Sequence, residues 1–127
     1  MKAALLKDKG LALLGDSIVN FLASAIMTIT RRKPCGIKVP DRLLVRVAEE
    51  IGVRERLKGF SREEISNAIE AMFAILWLRD KLDLERAIKD AVMAISRESP
   101  STNDDLVEGL KYILSTYGKS IIEQLNP

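Results

Sequence analysis

The stretch GLALLGDSIVNFLASAIMTIT, residues 10–30, is almost wholly apolar, and Asp16 is its only charged residue. A second apolar stretch, AIEAMFAILWL at residues 68–78, has Glu70 as its only charged residue. Burying an isolated carboxylate is costly unless it is paired, hydrogen-bonded, protonated or bound to a metal. Neither stretch supplies a cation of its own. If the two segments meet as helices, Asp16 and Glu70 could share a divalent metal ion.

Helical periodicity dominates the whole chain, and no alternating strand pattern interrupts it. The sequence therefore predicts an all-α fold of about five helices. A loop is expected over residues 96–102, where Ser and Pro accumulate. The predicted helices cover residues 3–29, 40–52, 62–79, 84–96 and 102–125.

For two of these helices, the sequence also predicts a cap or the faces that pack in the core. Ser61 and Glu64 form the sequence pattern of a capping box at the start of the third helix. That helix is apolar all round, which indicates burial on all sides. The first helix has a second face of small residues, on which another helix could pack closely. Its predicted main core stripe consists of Leu11, Leu14, Ile18, Leu22, Ala25 and Ile29, and its small-residue face of Ala12, Asp16, Val19 and Ala23.

Length and composition limit the possible classes of protein. A chain of 127 residues and 14.2 kDa, 47% hydrophobic, fits a single globular domain spanning residues 1–127. Histidine is absent, which excludes Ser-His and Cys-His catalytic dyads and His-ligated zinc. Carboxylate, lysine and metal chemistry remain. Oxygen-rich sites favour hard ions such as Mg²⁺ or Mn²⁺.

The single cysteine and the first apolar stretch bear on location. Cys35 cannot form an internal disulfide, so the chain fits a reducing compartment, and we expect a cytoplasmic protein. Residues 10–30 are long enough to span a bilayer. Asp16, Asn20 and several hydroxyl groups within the stretch favour a buried helix instead, so no membrane is expected. The N-terminus also lacks a signal-peptide pattern.

Positive charge is concentrated in the middle of the chain. Residues 31–62, the basic segment, contain ten Lys or Arg residues and four acidic residues, although the net charge of the chain is only +2. Such a segment suits a polyanionic partner, but an ordinary solvated surface has the same composition. The candidate residues for contact with such a partner are Arg31, Arg32, Lys33, Arg42 and Arg46, which become the predicted RNA-binding residues if the polyanion is RNA.

Three segments resemble, in order, the ribonuclease III domain. LALLGDSIVNFL (residues 11–22) resembles the family's signature helix, which typically reads LEFLGDAVL. VPDRLLVRVAEEIGVRERL (residues 39–57) resembles its VSxExLAxIAxxLGLxxxL stretch, and ISNAIEAMFAILWL (residues 65–78) its LADAFEALIGAIYL motif. The small Mini-III branch of the family has a similar first motif, LAYLGDA, and also lacks an appended RNA-binding domain. A longer basic loop of that branch has no counterpart here.

This resemblance implies a dimeric, metal-dependent endonuclease acting on double-stranded RNA. Asp16 falls on the aspartate of the LGD motif, and Glu70 on the glutamate of the AFEAL motif; both would be catalytic metal ligands. Two acids of the family pattern are replaced, by Ala12 and Asn67, and Lys9 replaces a third that commonly precedes the first motif. Asn67 could still offer a carbonyl oxygen to the metal or orient a water.

Three interpretations follow. The first is a homodimeric ribonuclease acting on structured or double-stranded RNA with Mg²⁺ or Mn²⁺. The second is a catalytically degenerate protein of the same fold that acts as an RNA-binding or protein-interaction dimer, which the replacements at Ala12 and Asn67 favour. The third is an unrelated helical interaction module. For Asp16 and Glu70, a buried hydrogen-bond network without a metal remains an alternative. Glu63 is a weak candidate for a role outside the direct ligands of the metal.

Overall fold

The computed structural model describes residues 1–95 and 101–126. Within these residues the fold is all-α, as predicted, and the β-structure consists of one isolated bridge between Lys2 and Asn126. Short 3₁₀ helices lie at Ala3–Lys7 and Arg54–Arg56. The α-helices are α1 (Lys9–Arg31), α2 (Asp41–Glu50), α3 (Arg62–Leu78), α4 (Leu84–Ala94), α5 (Thr102–Tyr117) and α6 (Lys119–Gln124).

Helix α3 is the centre of the domain. It packs most extensively against α1 and also contacts α2 and the N-terminal 3₁₀ helix. Every residue from Ile65 to Leu76 is buried except Asn67. Helix α5 contacts α1, α2 and α4 and so covers the rest of the core. The predicted central position of the third helix is therefore confirmed.

A glycine allows α1 and α3 to approach closely. A Cβ atom added at Gly15 would lie 1.8 Å from the carbonyl oxygen of Glu70, a distance that no side chain can occupy. Gly15 is thus where the backbones of the two helices meet. Val19 and Ala23 lie one and two turns further along the same side of α1 and are fully buried, as the predicted small-residue face requires, whereas Ala12 and Asp16 of that face are only partly buried. The residue that follows Gly15 is Asp16, so the closest approach of the helices also sets the position of the acids.

The start of α3 has the predicted capping box. The Glu64 backbone N–H donates to Ser61 Oγ at 3.1 Å, and the Ser61 N–H donates to Glu64 Oε1 at 2.9 Å. The other end differs from the expectation of burial on all sides. Trp77 is 43% exposed and Leu78 56% exposed, because the last turn of the helix extends beyond the helices that cover it.

The first predicted helix is in fact two elements. Asp8 interrupts it: its backbone is extended and its side chain accepts a hydrogen bond from the Leu11 N–H at 2.9 Å, which makes it the N-cap of α1. The predicted core stripe is also partly wrong. Ile18 and Leu22 are buried, but Leu11, Leu14 and Ala25 are only partly buried and Ile29 is 51% exposed. The reason is the contact at Gly15, which turns the small-residue face toward α3.

The C-terminal predictions need similar corrections. The helix expected over residues 102–125 divides at Gly118, whose N–H bonds to the Leu114 carbonyl and closes α5 before α6 begins. The second helix begins at Asp41 and ends at Glu50, with Pro40 as its N-cap rather than in its first turn. The fourth ends at Ala94 instead of residue 96. Most of the loop expected at residues 96–102 lies outside the described residues.

Helix α1 has the length and apolarity of a membrane-spanning helix. Of its most apolar 18-residue window, 44% is buried inside the domain, and the core helix of a soluble protein meets the same criteria. Several polar side chains of α1 are also hydrogen-bonded to a neighbouring segment, as described below. The packing therefore favours the predicted core helix over a membrane span.

Candidate active site

Asp16 of α1 and Glu70 of α3 line one surface pocket of about 370 Å³. The two acids that the sequence singles out in separate apolar stretches are thus brought to the same place. Asn67, one turn before Glu70 on α3, lines this pocket too, as does Glu63 at the start of the helix. The rest of the lining is formed by Lys7, Lys9, Ala12 and Leu13.

Glu70 is the more deeply buried of the two acids. It is only 6% exposed, whereas the Asp16 side chain is 38% exposed. Burial is the largest cause that raises the pKa of Glu70, and hydrogen bonding to Asp16 and the negative charges of Asp16 and Asp41 add to it, so that the pKa reaches about 8. The positive charge of Lys38 opposes this rise. Without a metal, Glu70 is therefore largely protonated near neutral pH.

Asp16 is held in place by an amide. Asn20, one turn further along α1, donates its Nδ2–H to Asp16 Oδ1 at 3.2 Å. The Oδ1 atom of Asn20 accepts the backbone N–H of Val39 at 2.8 Å. The other oxygen of Asp16, Oδ2, lies 3.8 Å from Lys38 Nζ. Asp16 thus has one oxygen oriented by α1 and one facing a lysine.

Residues 35–39, the clamped segment, run along α1 and are fixed to it by side chains. Thr28 Oγ1 accepts the N–H of Cys35 at 3.1 Å, and Ser24 Oγ accepts the N–H of Ile37 at 2.8 Å. Together with Asn20, they bind every second residue of the clamped segment. The sequence analysis missed this arrangement, although a signal is present in the otherwise apolar helix. Polar residues recur there every fourth position: Asp16, Asn20, Ser24 and Thr28.

A further acid, Asp41, contributes to the electrostatics of the site. Asp41, in the first turn of α2, accepts a hydrogen bond at 2.9 Å from Ser66 Oγ of α3, and Ser66 is fully buried. The negative charge of Asp41 contributes to the raised pKa of Glu70. Sequence reasoning missed Asp41, which reads as an ordinary acid at a helix N-terminus.

The five predicted RNA-binding residues do not gather at the pocket. The three at the C-terminal end of α1, Arg31, Arg32 and Lys33, are exposed. Arg31 lies fifteen residues beyond Asp16 on the same helix, or about 22 Å along its axis. Arg42 is exposed on α2. The basic residues at the end of α1 could therefore contact phosphates only at a distance from the acids, and Arg42 does not line the pocket.

Arg46 is already engaged within the chain. Its guanidinium pairs with Glu50 at 2.7 Å and with Asp104 of α5 at 2.9 Å. Hydrogen bonds to these two carboxylates raise the pKa of Arg46. Arg46 therefore links α2 to α5, and an RNA phosphate would have to compete with both acids for it.

The donors at the pocket fit a magnesium ion. Among the described residues, no group of three or more Asp, Glu, His or Cys side chains could hold a metal. Mg²⁺ needs fewer protein ligands, since it typically uses one or two carboxylates and keeps several waters. Asp16 and Glu70 supply the two carboxylates, and Asn67 an amide oxygen nearby. The set suits a single hard cation bound with modest affinity.

The protein is an all-helical domain in which the two most extensively packed helices, α1 and α3, bring a pair of acids together. The family model for ribonuclease III matches residues 9–115, which include α1 to α4 and most of α5. The chain therefore belongs to the ribonuclease III family, as its motifs predict. A comparison with curated proteins finds no match. Family membership makes the interpretation as an unrelated helical module wrong and supports a ribonuclease III-like function in the broad sense.

Proposed function

We propose that this protein is a metal-dependent endoribonuclease that hydrolyses phosphodiester bonds in structured or double-stranded RNA. The observation that carries the proposal is the meeting of Asp16 and Glu70 at one pocket, at the point where Gly15 brings α1 against α3. Both acids occupy the positions at which the resemblance to the ribonuclease III domain implies metal ligands. We place the protein in the cytoplasm, in keeping with its single cysteine.

Asp16 and Glu70 would hold Mg²⁺ or Mn²⁺, with Asn67 as an additional oxygen donor. When bound, the ion supplies positive charge for the phosphate and lowers the pKa of the attacking water. The chain contributes orientation: Asn20 fixes one oxygen of Asp16, and α3 presents Glu70 from a buried position. Because Glu70 binds a proton so readily, proton and metal compete for it.

The RNA backbone would be bound by exposed basic side chains. Lys9 lines the pocket, and Arg31, Arg32, Lys33 and Arg42 extend the positive surface away from it. Double-stranded RNA is recognised mainly through its shape and backbone, so basic residues separated by about 20 Å can contact phosphates several base pairs apart. We expect affinity for RNA to fall steeply as salt concentration rises.

We also propose that the protein acts as a homodimer. Helix α1 carries an exposed apolar row in which Leu13 is 72% exposed and Phe21 50% exposed, continuing to Ile29. These residues lie at intervals of eight along the helix and form a slanted ridge of i, i+4 positions. Such a row on a small domain suits burial against a second copy. Analytical ultracentrifugation of the wild type and of Phe21→Lys tests this arrangement.

One specific observation favours the second candidate, a catalytically degenerate protein that binds RNA or a protein partner. The pocket is lined by Ala12 and Asn67 where the family pattern has acids, so that of its three carboxylates only Asp16 and Glu70 stand at acidic positions of the family motifs. If metal affinity is too weak at physiological concentrations, RNA binding would remain without cleavage.

Cleavage of labelled double-stranded RNA decides between the two. Wild type, Asp16→Asn and Glu70→Gln are compared in Mg²⁺, in Mn²⁺ and in EDTA, with Glu55→Gln, an exposed acid outside the pocket, as the matched control. The endoribonuclease proposal expects metal-dependent cleavage by the wild type and the control and its loss in both pocket variants. RNA binding without cleavage by the wild type supports the degenerate alternative.

A further inference from the structure

We propose that Lys38 is a phosphate-binding residue of this site, and that its ammonium group contacts a non-bridging oxygen of the RNA phosphate beside Asp16. The proposal rests on the proposed function, since it assigns the substrate contact within the same site. Lys38 is distinct from the exposed basic residues described above because the fold places it next to the acids.

The fold fixes the backbone around Lys38. The neighbouring residues Ile37 and Val39 donate their N–H groups to Ser24 and Asn20, each at 2.8 Å. Lys38 therefore sits between two anchored residues of the clamped segment. Because both anchors are side chains of α1, the position of Lys38 relative to Asp16 is set by a single helix. A loop lysine without such anchors would have no defined distance from the acids.

Three lysines stand near the acids, and they differ in what else they bind. Lys7 pairs with Glu64 at 3.3 Å and lies over the ring of Phe60 at 4.6 Å. Lys9 lines the pocket from the first turn of α1. Of the three, Lys38 has its ammonium group nearest to a carboxylate of the acid pair, 3.8 Å from Asp16 Oδ2, while its side chain is 80% exposed. It is both near the chemistry and open to a ligand.

The contact with Asp16 alone does not account for this position. An ion pair this exposed contributes little to stability, and a positive charge here opposes the binding of a divalent cation by Asp16. The balance of charges with both a divalent ion and RNA bound explains the position of Lys38 better. Two carboxylates neutralise one divalent ion, so a phosphodiester carrying one negative charge requires further positive charge from the protein. Lys38 supplies such a charge, with its ammonium group 3.8 Å from Asp16 Oδ2.

This assignment makes two predictions of opposite sign. Removing the charge at Lys38 strengthens the binding of Mg²⁺ in the absence of RNA, because a neighbouring repulsion is lost. The same change weakens RNA binding by about tenfold to a hundredfold, which is the range of a charge-assisted hydrogen bond. A lysine that only paired with Asp16 would give the first effect without the second.

The experiment compares wild type, Lys38→Met, Lys38→Arg and the control Lys89→Met, an exposed lysine on α4. Mg²⁺ affinity is measured without RNA by calorimetry, and affinity for a short RNA duplex by anisotropy at several salt concentrations. We expect Lys38→Met to bind Mg²⁺ more tightly and RNA more weakly, with a salt slope reduced by about 1. Lys38→Arg should restore RNA binding, and Lys89→Met should match the wild type.

Wild-type RNA affinity in Lys38→Met, with the Mg²⁺ affinity raised, overturns the proposal. An equal loss in Lys89→Met overturns it too, since the effect would then come from overall charge. A wild type that binds RNA but does not cleave it contradicts the endonuclease proposal alone, and the Lys38 comparison still decides this one. A wild type that binds no RNA contradicts both.

Discussion

Replacing Gly15 by alanine tests the contact on which the site depends. The added Cβ would lie 1.8 Å from the Glu70 carbonyl oxygen and 2.3 Å from its carbonyl carbon, and both atoms belong to the backbone of α3. To reach 3.0 Å, the shortest distance real Cβ atoms tolerate, the helices must separate by about 1.2 Å. The backbone of a buried helix cannot rotate away as a side chain does, so the core must expand.

The expected loss of stability combines two opposing effects. Overpacking a core costs about 1–3 kcal/mol and more where the backbone must move, whereas alanine gains about 1 kcal/mol of helix propensity over glycine. Because backbone atoms must move, the cost lies at the upper end of that range, and we expect a net loss of about 2 kcal/mol and a melting temperature lowered by about 8 °C. Because Asp16 and Glu70 move apart with the helices, Mg²⁺ should also stabilise the variant less than the wild type.

Thermal unfolding followed by circular dichroism, with and without Mg²⁺, measures both effects. Gly109→Ala is the matched control, since a Cβ there meets side-chain atoms of Ile26 and Ile95 at ordinary distances of 3.5 and 3.6 Å. That variant should unfold at the wild-type temperature or a few degrees higher. A Gly15→Ala protein that melts within about 2 °C of the wild type and keeps its response to Mg²⁺ would show that the contact at Gly15 does not position the acids.

Three further changes test the electrostatics and hydrogen bonds of the site. The folded-state pKa of Glu70, about 8, lies above its unfolded value, so the folded state holds this proton more tightly. The metal-free protein should therefore lose stability as pH rises through the range from about 4.5 to 8, whereas Glu70→Gln should lose less. Equal melting curves for both proteins across this range would contradict the raised pKa of Glu70. Mg²⁺ affinity, measured by calorimetry, should rise over the same range and level off above about pH 8, and a flat profile would show that no proton is displaced. Asn20→Ala frees the Val39 N–H and removes a bond to Asp16, so we expect a loss of about 1–3 kcal/mol in urea unfolding and Mg²⁺ affinity lowered by about tenfold or more. Unchanged Mg²⁺ affinity in that variant would mean that Asn20 supports only the fold.

The sequence was sufficient to predict the helical class, the central third helix and its capping box, because these depend on local patterns. It was also sufficient to single out Asp16 and Glu70, since a lone acid in an apolar helix stands out wherever its partner lies. The interruption at Asp8 and the break at Gly118 were missed, because helical periodicity continues across both. The direction in which α1 faces could not be predicted either, as it depends on the contact at Gly15.

The surroundings of the acids were harder to predict for a similar reason. Lys38 and Asp41 are distant from Asp16 in sequence and reach the site only because the clamped segment lies along α1. A basic residue such as Arg46 appears available for RNA in the sequence, yet Asp104, fifty-eight positions later, pairs with it. Composition indicates the charge of a segment, but the tertiary contacts decide which of its charges remain open to a ligand.

The central claim is that Asp16 and Glu70 together hold one divalent metal ion. Titration of the purified protein with Mn²⁺, with free ion followed by electron paramagnetic resonance, tests it most directly. We expect one bound Mn²⁺ per chain, displaced by Mg²⁺, and its loss in both Asp16→Asn and Glu70→Gln but not in Glu55→Gln. Wild-type Mn²⁺ binding in either pocket variant, or none in the wild type, would contradict it.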